Sequence, residues 1–484
     1  MINTFPLSIF FYQIYILQLE NYDLGRFIKH IINNLFKADT EKEKDIKWTP
    51  KLILVSTTSF LVFFVPILYI TLGVFPNTIF DIVVVVLLYA ALSPIFWIAL
   101  SVVTVLFSPL DLVAKERIIS NARKKLASFP KIKVIAITGS YGKTTMKDVI
   151  STTLGIRYRV VSTRGNHNTP IGISKQILEE INEDTDIFVV EMGAYKKGDI
   201  ADLCSIAHPN ISILTGINEA HLERFGSIEN TIDAKFDIVK NCAADGKIVL
   251  NADDKRVVSS YKKYKGNQEV YFFSKEENKL CKYRAKEVVF GNDGEGISFI
   301  LERESKTIGK IETPFVAEYI IGNVIAAFIV GGIVGMTDAE IQAGLKQIKP
   351  PKHRLNIQKT PNDMVVIDDS YNGNSEGVRE AINTLSKFKK RRKIYITPGL
   401  VETGDESEKI HEEIGRQLGA VADLVFLMEN STTKYIIKGL ESVSFDKDRL
   451  HIHKDKKNAY QELGRIAMPG DVILFQNDWP ENYV

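Results

Sequence analysis

Cysteine is scarce in this chain. Cys204, Cys242 and Cys281 are the only three among 484 residues, and no two form a C-x-x-C pair. That excludes a disulfide scaffold and a zinc ribbon, and it suits a reducing compartment. An excess of charge of either sign is also missing. Lys and Arg number 61 against 59 Asp and Glu, a formal +2, so no global basic field points to nucleic acid. Internal repeats and low-complexity tracts are absent. With 45% hydrophobic and 25% charged residues, a disordered chain, a collagen and a coiled-coil rod are excluded as well. The length exceeds what one compact core serves, so several units are expected.

Charge is absent locally too. Leu52–Leu72 and Ile82–Phe107, runs of 21 and 26 residues, contain no Asp, Glu, Lys or Arg. About 20 apolar residues in a helix cross the hydrocarbon layer of a bilayer, so residues 1–125 read as a membrane hairpin. Pro94 is expected to kink its second helix, and the uncharged turn Gly73–Asn77 to join the two. Arg26, Lys29, Lys37, Lys42, Lys44, Lys47 and Lys51 precede the first run, and Lys115, Arg117, Arg123, Lys124 and Lys125 follow the second. The positive-inside rule places both flanks in the cytoplasm. The expectation is a multi-pass protein of the cytoplasmic membrane with its remaining domains inside the cell. Phe5–Leu17 is apolar but short and lacks a cleavage site, which predicts an interfacial or re-entrant segment.

From about residue 130 apolar strands alternate with amphipathic helices. Val134–Thr138, Ile187–Val190, Ile211–Thr215 and Lys247–Leu250 form one set of predicted strands; Met364–Ile367, Lys393–Thr397, Leu424–Leu427 and Val472–Phe475 form another. Helices are predicted at Ser375–Phe388 and Ser407–Val421. This alternation is that of an α/β chain with parallel sheets. Residues 265–315 hold short, glycine-interrupted strands and predict an antiparallel flap. The pair Pro350-Pro351 follows a helix predicted to end near Ile348 and marks a boundary. The expected domains are 1–125, 126–350 with a P-loop, and 351–484 with a Rossmann-like sheet.

The first strand of this part runs into Gly139-Ser140-Tyr141-Gly142-Lys143-Thr144-Thr145, with a helix predicted from about Met146. Strand, glycine loop, Lys-Thr and helix is the order of a phosphate-binding loop. The glycines let backbone N–H groups converge on phosphate, helped by the helix N-terminus. Lys143 is suited to the β- and γ-phosphates and the Thr144 hydroxyl to Mg²⁺. Ile137 stands where the longer GxxxxGK[ST] pattern has glycine, so this is a shorter variant of the loop. Glu191 closes the strand Ile187–Val190, where α/β sheets place ligand groups, and a carboxylate there suits Mg²⁺.

These residues resemble the Mur ligases, the ATP-dependent amide-forming enzymes of peptidoglycan precursor synthesis, and among them the UDP-N-acetylmuramoyl-tripeptide–D-alanyl-D-alanine ligases. The matches run in the family's order through Thr138–Thr145, Gly165–Gly172, Glu191–Ala194, Gly198–Ala201, Ala220–Gly226, Asn251–Asp254, His353–Leu355 and Asp368–Asn374. The resemblance implies that His221 helps bind a second metal ion. It implies that Lys235, fourteen residues later, is carbamylated and serves as a metal ligand. It further implies that Asn323, expected at the start of the helix Val324–Gly335, reads adenine, although Gly322 stands where the family has His. It assigns Arg354 to the ATP phosphates, Asp369 to the ribose, and Asn372 with Tyr371 and Asn374 to the loop over the nucleotide. Two departures lie on the substrate side. The family's N-terminal sugar-nucleotide domain is replaced by the apolar hairpin, and its Lys-Gly-Ser-Arg-like C-terminal motif by Phe475-Gln-Asn-Asp-Trp-Pro.

The implied activity is an ADP-forming peptide ligase. ATP and Mg²⁺ activate an acceptor carboxylate as an acyl phosphate, and the amine of an amino acid or dipeptide displaces phosphate. The acceptor is a cell-wall precursor, in one version lipid-linked at the membrane. Two alternatives stand beside it: a Mur-like ligase making another cell-envelope or polymer amide, and a P-loop membrane ATPase or switch that makes no bond. The cluster Glu191, His221 and Lys235 disfavours the last, because a plain switch needs no second metal site. The sequence leaves the oligomeric state open.

Overall fold

The computed structural model describes residues 5–476 apart from 21, 35–45, 75–82, 84–86, 89–90, 93–94, 166, 221, 292–293, 372, 401–402 and 404–405. The chain forms two compact units, Met1–Arg117 and Ile118–Val484.

The first unit is helical: α1 (Phe5–Leu19), α2 (Leu24–Asn34), α3 (Pro50–Val74) and the start of α4 (Phe96–Ala127). Its core is aromatic. The Phe10 ring meets Phe64 at 5.0 Å and Phe96 at 5.1 Å, both edge to face, an arrangement that adds to simple burial. Outside that core α3 exposes Phe60, Leu61, Val62 and Val65, and α4 exposes Val102, Val105 and Leu106. Both helices are long and apolar enough to cross a membrane. Lys51 pairs with Asp111 at 3.0 Å and Lys115 with Asp111 at 2.7 Å, at one end of these apolar faces. One expectation changes. Gly73 belongs to α3 rather than to a turn, while 75–77 and Pro94 lie outside the described residues. Phe5–Leu17 is a regular helix packed on α3. After Phe107 the chain stays helical to Ala127, since no residue from Leu110 to Ala127 breaks a helix.

The second unit is built on two six-stranded sheets. The central sheet has the order β2-β3-β1-β4-β5-β6 and is parallel throughout: β1 (Lys133–Thr138), β2 (Val160–Ser162), β3 (Ile187–Glu191), β4 (Ile211–Leu214), β5 (Lys247–Asn251) and β6 (Glu269–Phe273). Its strands are buried on both faces, as parallel sheets require. Ala136, Phe188 and Val190 enter one core, Ile135, Ile137 and Val189 the other. The flap is a separate antiparallel sheet of β7 (Tyr283–Phe290), β8 (Ile297–Arg303) and β9 (Lys306–Thr313). It begins later than expected, because β6 pairs in register with β5 and completes the central sheet.

The C-terminal sheet has the order β10-β11-β15-β12-β13-β14: β10 (Asn356–Lys359), β11 (Val365–Asp369), β12 (Lys393–Thr397), β13 (Leu424–Met428), β14 (Leu450–His453) and β15 (Val472–Gln476). Only β10 runs antiparallel to its neighbour. The chain is thus α/β with parallel sheets. The helix before Pro350 is Asp338–Leu345, opened by a Thr337–Glu340 capping box, and ends three residues earlier than predicted.

Candidate active site

The site starts where β1 ends. Thr138 donates its hydroxyl to the Met192 carbonyl at 2.8 Å, which fixes the strand end. Gly139 follows at φ +155°, where a Cβ would lie 2.0 Å from Thr215 Oγ1. Gly142, at φ +73°, caps the helix α5 (Lys143–Leu154) without a side-chain hydrogen bond. The first-turn N–H groups are therefore free of a cap and open to an anion. The helix begins at Lys143 rather than near Met146, so Lys143 and Thr144 belong to that first turn. The Lys143 ammonium donates to the Gly139 carbonyl at 2.7 Å, folded back over its own loop. Burial depresses its pKa and Arg354 adds to the depression, while Glu191 opposes it.

Tyr141 anchors the loop from the side. Its ring occupies the space beside Gly216, where a Cβ would come within 2.2 Å, and its hydroxyl lies 3.3 Å from Asp254. Asp254 also accepts the Ile217 N–H at 2.6 Å and caps the next helix.

Glu191 ends β3 at 3% exposure. Its N–H donates to Thr163 Oγ1 at 3.0 Å, and its Oε1 accepts from Asn168 Nδ2 at 3.1 Å. Oε2 is buried without a hydrogen-bond partner. A buried carboxylate oxygen without a hydrogen bond is costly, and a bound cation would satisfy it. Glu191 therefore fits a hard, oxygen-seeking ion such as Mg²⁺.

Lys235 lies on α9 (Ile228–Lys240) at 3% exposure, and its Nζ is 5.7 Å from the Phe225 ring. It lines one cavity with Gly139, Ser140, Lys143, Asn168 and Tyr195. Burial, then the nearby Lys143 charge, hold its pKa well below the ordinary value, against a small opposing effect of Asp199. The C-terminal module faces this cavity with Arg354, whose guanidinium is 4.8 Å from the Tyr371 ring and whose charge acts on Lys143. Asp369, at the end of β11, accepts the Leu355 N–H at 3.2 Å. Burial pushes its pKa up to about 8, with Asp368 adding and Leu355 and Arg354 opposing.

Lys143, from the first turn of α5, and Lys235, from α9, thus line one cavity, with Glu191 of β3 and Arg354 of the C-terminal module acting on Lys143. His221 and Asn372 lie outside the described residues. Asn323 Nδ2 is buried without a hydrogen-bond partner; what differs from expectation is the start of its helix. The helix begins at Tyr319, which puts Asn323 a turn inside it at 6% exposure. It is Tyr319 that faces Asp369, Arg354 and the Thr145 hydroxyl. Asn168 and Thr163, which hold Glu191, carried no assigned role in the sequence. Asn168 sits in the motif Gly165–Gly172, and Gly193, where a Cβ would meet it at 2.9 Å, was the available clue.

The Mur ligase middle domain matches residues 137–331, and the Mur ligase glutamate ligase domain matches residues 353–476. The UDP-N-acetylmuramoyl-tripeptide–D-alanyl-D-alanine ligase of Bacillus subtilis is 30% identical over 346 residues, 71% of this chain and 72% of that protein. The chain belongs to the Mur ligase family. MurF ligase from Thermotoga maritima, solved in complex with ADP, superposes with a TM-score of 0.66 at 26% identity, over 75% of this chain and 80% of that one. MurF from Acinetobacter baumannii has the same fold, with a TM-score of 0.67 at 24% identity over 75% and 77% of the two chains. This Mur ligase is an ATP-dependent carbon–nitrogen ligase.

Proposed function

We propose that this Mur ligase adds an amino acid or dipeptide, D-alanyl-D-alanine as in its named relatives, to the carboxylate of a membrane-associated cell-wall precursor. The observation that carries the reading is the meeting of Lys143 and Lys235 in one cavity, with the Glu191 and Arg354 charges acting on Lys143 and Arg354 also acting on Asp369. An acceptor carboxylate oxygen attacks the γ-phosphorus of ATP and ADP leaves. The amine then attacks the acyl carbon, phosphate leaves, and one proton is lost. Lys143 and Arg354 neutralise the charge that develops on the phosphoryl oxygens. Asp369 and Tyr319 orient the nucleoside end.

Thr144 and Glu191 would hold Mg²⁺, which supplies charge neutralisation to the phosphates. Lys235, whose pKa burial and the Lys143 charge hold down, is suited to add CO₂ as the neutral amine. The carbamate formed, with release of a proton, would be an anionic oxygen ligand for a second ion, to which the family resemblance also assigns His221. For the amine, the C-terminal sheet offers a cavity of about 240 Å³ at its strand ends, lined by Asp368, Met428, Lys456, Tyr460, Phe475 and Gln476. Gln476 Nε2 is buried there without a partner. Asp368 suits an ammonium group and Lys456 a carboxylate, which is the charge pattern of a free amino acid or dipeptide.

The apolar outer faces of α3 and α4 support a membrane location, and with it a lipid-linked acceptor confined beside the site. Full-length protein in lipid nanodiscs, given ATP, Mg²⁺, D-alanyl-D-alanine and either a UDP-linked or a lipid-linked peptide acceptor, tests both parts. The expected product is the extended peptide with ADP, formed faster on the lipid-linked acceptor. ADP formation that ignores the amine overturns the ligase reading. Equal rates on both acceptors overturn the lipid-linked one.

A further inference from the structure

One buried cation stands outside this chemistry. Lys147, on α5 one turn beyond Lys143, is 3% exposed. Its Nζ donates to the Thr163 carbonyl at 2.8 Å, lies 3.4 Å from Asp148 Oδ1, and is 4.0 Å from Glu191 Oε2. Thr163 is the same residue whose hydroxyl accepts the Glu191 N–H, and its own N–H donates to Val189 at 3.1 Å. Lys147 is therefore built into the wall behind Glu191. Its ammonium is the nearest charge to the one carboxylate oxygen that lacks a hydrogen bond. Asp148, with 43% of its side chain exposed, is the better solvated of the two acids and offsets Lys147 only in part.

We propose that Lys147 is a positioning residue: an internal counter-ion of Glu191 that makes metal binding depend on the nucleotide. A free dication approaching Glu191 meets the Lys143 and Lys147 charges and is disfavoured. A dication carried by ATP arrives with phosphate charges that outweigh both lysines, so only the metal–nucleotide complex engages the carboxylate. In the absence of metal Lys147 compensates the buried carboxylate, and the site stays assembled. The inference rests on Glu191 as the carboxylate of the metal site.

The test uses Mn²⁺ as probe, with full-length protein in detergent. Bound and free ion are separated by electron paramagnetic resonance, first without nucleotide and then with ADP. Wild type is expected to bind Mn²⁺ weakly alone and tightly with ADP. Lys147→Gln keeps a donor for Thr163 and loses the charge. Nucleotide-free Mn²⁺ should then bind at least about tenfold tighter, the scale of one charge a few ångströms from a dication even at the dielectric of water, with a smaller further gain from ADP. Lys147→Arg should behave as wild type, and Glu191→Gln added to Lys147→Gln should abolish the gain. Asp148→Asn, a change at a half-exposed side chain, should do the reverse and weaken nucleotide-free binding, which keeps a readout if Lys147→Gln does not fold. Unchanged or weaker binding in Lys147→Gln, or tighter binding in Asp148→Asn, overturns the proposal. Mn²⁺ binding with ADP that ignores Glu191→Gln overturns it together with the metal assignment.

Discussion

Replacing Lys235 by Met separates a structural lysine from a functional one, because the two make opposite predictions for stability. The side chain is 3% exposed, sits near Lys143 and has no ion pair among the described residues. A lysine whose folded pKa is depressed costs stability as pH falls from its ordinary value to the folded one, by about 1.4 kcal/mol per unit of depression. Methionine fills a similar volume without the charge and removes that cost. What it gives up is the contact with the Phe225 ring at 5.7 Å, about 0.5–2 kcal/mol for a cation over an aromatic face. The net expectation in CO₂-free buffer at pH 7–8 is a gain of about 1 kcal/mol, or roughly 2 °C in Tm for a unit of this size. Turnover should nevertheless fall by about 10²–10³-fold, as when one preorganised electrostatic group is lost. Adding bicarbonate should raise both the Tm and the rate of wild type and leave the Met variant unchanged. The assay is differential scanning fluorimetry beside ADP release, each with and without bicarbonate. A Met variant that is less stable than wild type without CO₂, or that retains full turnover, refutes the argument.

Asp369, with a folded pKa near 8 against an ordinary 3.8, contributes stability that is full below about pH 4 and is lost as pH rises through 8. Chemical denaturation of nucleotide-free protein should show this slope, and Asp369→Asn should flatten it. Gly139→Ala places a Cβ 2.0 Å from Thr215 Oγ1 at φ +155°. Strain of about 1–3 kcal/mol should shift the loop and weaken ADP binding at least tenfold by calorimetry, with a Tm loss of a few degrees. In whole cells, cysteine at Asn77 should react with an impermeant thiol reagent and cysteine at Ser128 should not; the reverse pattern would invert the proposed topology.

Much of the fold was legible because its signals are local. Lys393–Thr397 and Ser407–Val421 are an unbroken apolar run and an amphipathic stretch, and both elements appear at their predicted ends. Glycine spacing marked the phosphate loop, since only a glycine tolerates the backbone of residues 139 and 142. Element ends were less legible where a neighbour decides them. Tyr319 to Gly322 was not counted as helix because its reason to be helical is burial against the central core, with Phe273 beside Gly322.

The sequence by itself determined the α/β class, the P-loop, the two uncharged runs, and the resemblance of the residues around Lys143, Glu191 and Lys235 to the Mur ligases. Each is a property of spacing within one segment. Only the tertiary structure decided what those residues do to one another. That Glu191 has one oxygen held by Asn168 and one left unpaired depends on three segments meeting at the end of β3. So does the position of Lys147 behind it. The depressed pKa of Lys235 and the raised pKa of Asp369 come from burial and from charges distant in sequence. Charge interactions fall off with distance in space and not along the chain, so a single sequence carries the groups but not the field they create.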